Sequence, residues 1–209
     1  MVSTIVKLQR NHVSFIFFAI LTAFSGLLCA QQLSCTQVHS MAQLARARSL
    51  TELNSLRATA GNSYRARLVF AIRALELQPT QLTAAAVLDF LPKDETHRED
   101  WYSLSGWICD AEPDQDVKSL AQLQARMSRD FAKSAILFPT KMYQYISYPV
   151  VLGLDPHDNY AEEMAAVCRR RPREFAAAIN QLPEKDRSWF LRVVFEPSGC
   201  RALEHPETD

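Results

Sequence analysis

Residues 64–80 read YRARLVFAIRALELQPT, and this stretch carries the clearest structural signal in the chain. Tyr64, Leu68, Ile72 and Leu75 follow one another at steps of four, four and three, which places them on one face of an α-helix. A second apolar row lies beside this face, so we expect the helix to pack between several neighbours. The second row is Phe70, Ala74 and Leu77, and the polar residues left for the remaining surface are Arg65, Arg67, Arg73 and Glu76.

Both ends of this helix are marked by residues that start or stop helices. Asn62, which follows Gly61, can cap the first turn. Pro79 ends the helix because proline lacks the N–H group that the next turn needs. Thr80 can then cap another helix at once. The stretch therefore predicts a helix, a tight turn and a second helix.

The same order of residues occurs twice more, each time after basic side chains. The three copies are Phe70-Ala71 leading to Pro79, Phe131-Ala132 leading to Pro139, and Phe175-Ala176 leading to Pro183. Their spacings differ, so the period is not fixed. We interpret the pattern as a degenerate repeat of α-helical hairpins, and the alternative is a chance recurrence of common helix residues.

Residues 71–81, AIRALELQPTQ, resemble the end of the second helix of a tetratricopeptide repeat. Tyr64, Ala74 and Pro79 stand at positions that this family's pattern specifies, whereas Ser55 and Arg67 stand where the family has glycine and alanine. The resemblance is confined to this short stretch. It implies an α-helical hairpin and almost nothing about partners.

Other segments also have helical signals. Helices are expected over 36–47, over 51–59 after a Ser49-x-x-Glu52 capping box, over 80–91, over a long segment 117–138, and over 159–170. In the 80–91 segment, Leu82, Ala86 and Phe90 share a face.

The first 30 residues have the layout of an export signal. Lys7, Arg10 and His12 precede an uncharged apolar run over 13–30, and Ala30 is a small residue suited to cleavage before Gln31. We therefore expect a periplasmic or secreted protein. The alternative is an uncleaved membrane anchor formed by 13–30, because this run approaches the roughly 20 residues that span a bilayer.

Cysteine usage agrees with export. Cys29 lies inside the predicted signal, and an even number of cysteines remains, which in an exported chain suggests two disulfides. We expect Cys168 to pair with Cys200, because two intervening helices could bring these residues together, and this leaves Cys35 with Cys109. No pair has the C-x-x-C spacing that zinc sites favour.

Composition sets the fold class and limits the partners. The 209 residues include 23 basic and 23 acidic side chains, so no overall charge attracts nucleic acid or an anionic membrane. Five glycines are too few for a β-rich fold with many tight turns. We predict one all-α domain over 31–200, built of stacked antiparallel helical hairpins and stabilised by disulfides. Residues 111–116 could subdivide it, and 201–209 form a polar tail that we expect to be disordered.

Two groups of residues are candidates for partner binding. Arg169, Arg170 and Arg171 form a basic patch that suits an acidic partner, or that simply marks a helix end. Tyr143 and Tyr145 belong to an aromatic cluster that could contact a peptide or glycan, or pack in the core.

An enzyme is the alternative function. Glu95, Glu99 and Asp100 beside Trp101 could form the carboxylate pair of a small glycan hydrolase, or could be a solvated helix start. No nucleophile, nucleotide-binding or metalloprotease motif is present in the sequence, and no metal set or cofactor is indicated. The sequence therefore favours a binding or interaction module for a protein or peptide, with no nucleic acid and with membrane contact only through an uncleaved signal.

Overall fold

A computed structural model describes residues 34–91, 114–152 and 160–192, and within these ranges the chain forms ten α-helices and no strand. The helices are α1 Cys35–Arg46, α2 Leu50–Ala60, α3 Tyr64–Leu77, α4 Gln81–Leu88, α5 Asp114–Gln124, α6 Met127–Leu137, α7 Met142–Leu152, α8 Tyr160–Arg170, α9 Pro172–Asn180 and α10 Glu184–Phe190. A short 3-10 turn, Pro139–Lys141, joins α6 to α7. All ten helices belong to one compact unit, Cys35–Asp209, and the all-α prediction is confirmed.

Helix α2 begins and ends at residues with recognisable local chemistry. The Ser49 hydroxyl accepts a hydrogen bond from the Glu52 backbone N–H at 3.1 Å, as the capping box predicts. The Glu52 carboxylate accepts from the Arg48 N–H, one residue before the cap. At the other end Gly61 has φ 77°, a backbone conformation that favours glycine, and the helix stops there.

Helix α3 is the helix predicted from residues 64–80. Leu68, Ile72 and Leu75 are fully buried, which confirms the expected apolar face. Its cap is Ser63 rather than Asn62, because the Ser63 hydroxyl accepts from the Ala66 N–H at 3.2 Å. Arg65, assigned above to the polar surface, is also buried.

Helix α3 packs against α1, α2, α4 and α6, which explains why so much of its circumference is apolar. The turn into α4 is short, as Pro79 and Thr80 predict. The Thr80 hydroxyl accepts from the Thr83 N–H at 3.2 Å, and the Thr83 hydroxyl accepts in return from the Thr80 N–H at 3.0 Å. This reciprocal capping box starts α4 directly after the turn.

The long helix expected over 117–138 is two helices, so this prediction is wrong. Helix α5 ends at Gln124, and α6 starts at Met127 after a turn at Ala125 and Arg126. The Arg126 Nε donates to the Glu76 carboxylate of α3 at 2.9 Å, and its Nη1 donates to the Gln122 carbonyl at 3.1 Å. The break therefore coincides with a tertiary contact that periodicity along one helix does not reveal.

Helix α6 lies at the centre of the packing and contacts α3, α4, α7 and α8. Phe131 and Ala135 of α6 are fully buried, and the Phe131 ring lies 6.1 Å from the Tyr148 ring of α7. Helix α9 contacts both α7 and α8, and the Phe175 ring of α9 lies 6.2 Å from the Phe190 ring of α10.

The three copies of the Phe-Ala pattern occupy different environments. Each copy ends a helix before a proline, in α3, α6 and α9. However, Phe131 and Phe175 are core residues, whereas Phe70 is half-buried. The copies thus share a local helix–proline arrangement, while their first aromatic residues have different surroundings.

Candidate functional site

An apolar groove lies between α3, the helix formed by residues 64–77, and its neighbours α1, α2 and α4. It has a volume of about 350 Å³, within the usual range for ligand-binding pockets. We call it the α2–α4 groove. Its lining residues are Leu44 of α1, Arg57 of α2, Gly61, then Ala66, Arg67, Phe70, Ala71 and Ala74 of α3, and Leu82, Thr83, Ala86 and Phe90 in and after α4.

Small side chains account for the depth of the groove. Ala66, Ala71 and Ala74 come from α3 and leave room between this helix and its neighbours. Gly61 adds no side chain where α2 ends, and apart from Gly61 and its two chain neighbours no residue has an atom within 4 Å of the point where a Cβ would stand. The groove is therefore open because the side chains along this part of α3 are small and because the turn before α3 contains a glycine.

Leu82 is the most exposed large apolar residue in the described part of the chain. Its exposed fraction is 81%, and it stands on the groove edge near Ala86 and Phe90. Leu82, Ala86 and Phe90, which were predicted to share a helical face, all line the groove, although α4 ends at Leu88 and Phe90 lies in the turn after it. A single exposed leucine is ordinary on a protein surface, but Leu82 is continuous with the apolar lining of the groove and so extends the apolar surface that a partner could cover.

Two arginines line the groove and lie over aromatic rings. The Arg57 guanidinium carbon is 5.0 Å from the centre of the Phe70 ring, and that of Arg67 is 5.5 Å from the centre of the Phe90 ring. Both arginines are exposed. These cation–π contacts hold the two charges at the groove.

The Phe90 side of the groove is fixed by Tyr64. The Tyr64 hydroxyl donates a hydrogen bond to the Phe90 carbonyl, and the two rings meet edge to face with their centres 5.7 Å apart. Tyr64 thereby ties the first turn of α3 to the chain that follows α4. This gives the groove a preformed wall.

The basic patch predicted from the sequence is only partly available to a partner. Arg169 and Arg170 are exposed at the end of α8. Arg171 is half-buried, and its Nε donates to the Ile136 carbonyl of α6 at 3.0 Å, while Glu174 lies 3.8 Å from its Nη1. Arg171 therefore connects the α8–α9 junction to α6 and has mainly a structural role.

The predicted tyrosine surface requires a correction. Tyr143 is 38% exposed, but Tyr145 is 0% exposed and packs against Tyr148 with ring centres 5.8 Å apart. Burial raises the pKa of the Tyr145 hydroxyl well above its ordinary value. Tyr145 is thus a core residue and offers no surface to a partner.

Cys35 and Cys168 are the two cysteines within the described residues. Both are disulfide-bonded, and no bridge joins one described cysteine to another. The partners expected for them, Cys109 and Cys200, lie outside the described residues. The two pairings therefore stay predictions.

Several other predicted features also lie outside the described residues. They are the carboxylates Glu95, Glu99 and Asp100 with Trp101, the signal segment 1–30 and the tail 201–209, together with the first part of the possible boundary 111–116.

Two clusters of polar side chains inside the fold are candidates for a catalytic site. The first is centred on Asp116 of α5. Its carboxylate accepts from Arg46 of α1 at 2.5 Å and pairs with His39 Nδ1 at 2.7 Å. The other ring nitrogen of His39 is 2.9 Å from the Gln43 side-chain amide, so both imidazole nitrogens are engaged. These contacts orient His39 but include no nucleophilic side chain. They connect α1 to α5.

The second cluster is centred on Glu76 of α3. Its carboxylate accepts from Arg73 at 2.6 Å and from Arg126 at 2.9 Å. Asp130 of α6 is buried near these charges, and its Oδ2 has no hydrogen-bond partner. The cluster connects α3 to α6 and contains no nucleophilic side chain.

Among the described residues, no group of histidine, cysteine, aspartate and glutamate side chains could hold a metal ion. None of the described helices is long and apolar enough to cross a membrane.

Comparison with protein-family models, with curated proteins and with solved structures finds no match for this chain. The α2–α4 groove is therefore interpreted from its own geometry. The sequence pattern placed Leu82, Ala86 and Phe90 on one face but did not indicate a groove, and it gave no such role to Arg57, Arg67 and Phe70. A signal for the groove was present in the small residues Ala66, Ala71 and Ala74, which are spaced along α3 on either side of Phe70 and leave space there.

Proposed function

We propose that the protein is an exported, all-α interaction module that binds a peptide segment of another protein in the α2–α4 groove. The observation that carries this proposal is the combination of a preformed apolar groove with Leu82 exposed on its edge. An apolar side chain of a partner would fill the groove and cover Leu82, removing both surfaces from water.

The proposed architecture is a set of helical hairpins stabilised by two disulfides. Two features support it. Short turns near a proline connect α3 to α4 and α8 to α9, the two helices of each pair contact each other, and Cys35 and Cys168 are disulfide-bonded. An exported protein, directed by residues 1–30, would form such bonds in an oxidising compartment.

Leu82→Gln tests the proposal, because an exposed residue can be changed at little cost to folding. The assay is selection from a random displayed-peptide library followed by affinity measurement on the selected peptides. Losing the burial of one leucine should weaken binding about 10-fold or more. Tyr143→Gln is the matched control, since Tyr143 is the other exposed large apolar residue in the described ranges.

Equal affinities for the wild type and Leu82→Gln would contradict the groove as the binding site. Weakening by Tyr143→Gln instead would move the site to α7. Thermal unfolding of both variants should match that of the wild type, because neither side chain is buried.

A further inference from the structure

We propose that the peptide bound in the α2–α4 groove carries an acidic side chain next to its apolar anchor, and that Arg57 and Arg67 bind this carboxylate. The inference rests on the proposed function and specifies the chemistry of the partner.

The charge of the groove lining has one sign. Arg57 and Arg67 are its two ionisable residues, and every other lining residue is apolar or neutral. A ligand with an apolar part and a negative group would match this surface in both respects.

These arginines differ from three other arginines of the described helices and turns. Arg46, Arg73 and Arg126 each form an ion pair with a carboxylate of the chain. Arg57 and Arg67 contact aromatic rings, and within the described residues neither has an acidic partner. Among the described residues, Arg46, Arg73 and Arg126 are thus neutralised by carboxylates of the chain, whereas Arg57 and Arg67 keep their positive charges at the groove.

The contact with an aromatic ring also prepares each guanidinium for binding. A guanidinium that meets a ring through its face keeps its in-plane N–H donors, which fit the two oxygens of a carboxylate. Holding the side chain over Phe70 or Phe90 reduces the conformational entropy that binding would cost.

A peptide fits these observations better than an anionic membrane. Membrane surfaces attract segments with clusters of four to eight basic residues. The groove supplies two arginines beside an apolar space, in a chain whose formal net charge is 0. This pattern matches one carboxylate beside one apolar side chain.

Selection from the random peptide library gives the first test. We expect the selected peptides to combine a large apolar residue with a neighbouring Asp or Glu, and to lose affinity with Leu82→Gln. Failure to select any groove-dependent peptide would overturn the proposed function. Selection of apolar peptides without an acidic preference, still dependent on Leu82, would overturn this inference alone.

A double-mutant cycle gives the second test. Changing the acidic residue of a selected peptide to its amide should weaken binding to the wild type about 2- to 30-fold, as expected for two exposed charge contacts. The same change should have little effect on the Arg57→Gln/Arg67→Gln variant. Equal losses on both proteins would show that the arginines do not bind the carboxylate.

Two further variants control for charge and for folding. Lys118→Gln/Lys185→Gln removes the same charge from exposed positions outside the groove and should leave the amide effect unchanged. Arg57→Lys/Arg67→Lys keeps the charge and should restore part of the acidic preference if the double glutamine variant folds poorly. Sedimentation with vesicles of anionic phospholipid tests the other occupant, and binding that is lost in Arg57→Gln/Arg67→Gln would overturn the peptide assignment.

Discussion

Asp116 and Asp130 are both largely buried aspartates, yet their surroundings shift the pKa in opposite directions. Burial raises the pKa of Asp116, but hydrogen bonds from His39 and Arg46, together with their charges, outweigh it and hold the pKa below its ordinary value. Burial raises the pKa of Asp130 to about 7, and the nearby charge of Glu76 adds to the rise. The partners of each carboxyl group therefore decide which protonation state the fold favours.

The folded pKa of Asp130 lies above its ordinary value of 3.8, so the folded state holds this proton more tightly than the unfolded state. Its contribution to stability is present at low pH and is lost as the pH rises towards 7. The cations Arg126, Lys133 and Arg129 oppose the shift without cancelling it. Relative to Asp130→Asn, the wild type should therefore lose about 2–4 kcal/mol of unfolding free energy between pH 4 and pH 8. Urea unfolding of both proteins across this range measures the difference.

Asp116→Asn is the control for this experiment, because the pKa of Asp116 is shifted in the opposite direction from that of Asp130. A lowered folded pKa means that the stabilising contribution of Asp116 is present above its ordinary value of 3.8 and is lost as the pH falls through the lowered pKa. The wild type should therefore be more stable than Asp116→Asn at pH 7, and the gap should narrow below about pH 4. Parallel pH profiles for the wild type and Asp130→Asn would contradict the assignment of a protonated Asp130.

The helices show which local signals can be found from sequence and which cannot. Thr80 caps α4, and Pro172 occupies the first turn of α9. Such signals can be found from sequence because a cap or a proline acts within one turn of the chain. The break between α5 and α6 was not predictable in this way. Arg126 at the break binds Glu76, which lies 50 residues earlier, and only the tertiary fold brings them together.

Ser63→Ala should destabilise the protein by about 0.5–2 kcal/mol, because it removes the oxygen that accepts the Ala66 N–H at the start of α3. Asn62→Ala is the matched control and should change stability by less than about 0.5 kcal/mol, since Asn62 is exposed. Thermal or urea unfolding distinguishes the two variants. A larger loss of stability for Asn62→Ala than for Ser63→Ala would instead identify Asn62 as the cap, as the sequence suggested.

At the scale of the whole molecule, composition and periodicity were sufficient for the fold class but not for the site. The two apolar rows of residues 64–77 indicated a helix surrounded by others, and α3 indeed packs against α1, α2, α4 and α6. The same reasoning placed Tyr145 on a possible surface and gave no reason to expect Leu82 in solvent. Exposure depends on what packs against each face, and a single helix does not encode that information.

The two expected disulfides divide the molecule in a way that can be measured. A Cys35–Cys109 bridge would enclose α1 to α4, and a Cys168–Cys200 bridge would enclose α9 and α10, so α6 would lie outside both loops. In the chain-entropy account each bridge stabilises the folded state by about 3–5 kcal/mol.

We expect non-reducing peptide mass spectrometry of the exported protein to find both pairs and an N-terminus at Gln31. Reduction should then lower the unfolding temperature. A Cys35–Cys200 peptide would contradict this division, and a chain that retains residues 1–30 would favour the membrane-anchored alternative over cleavage.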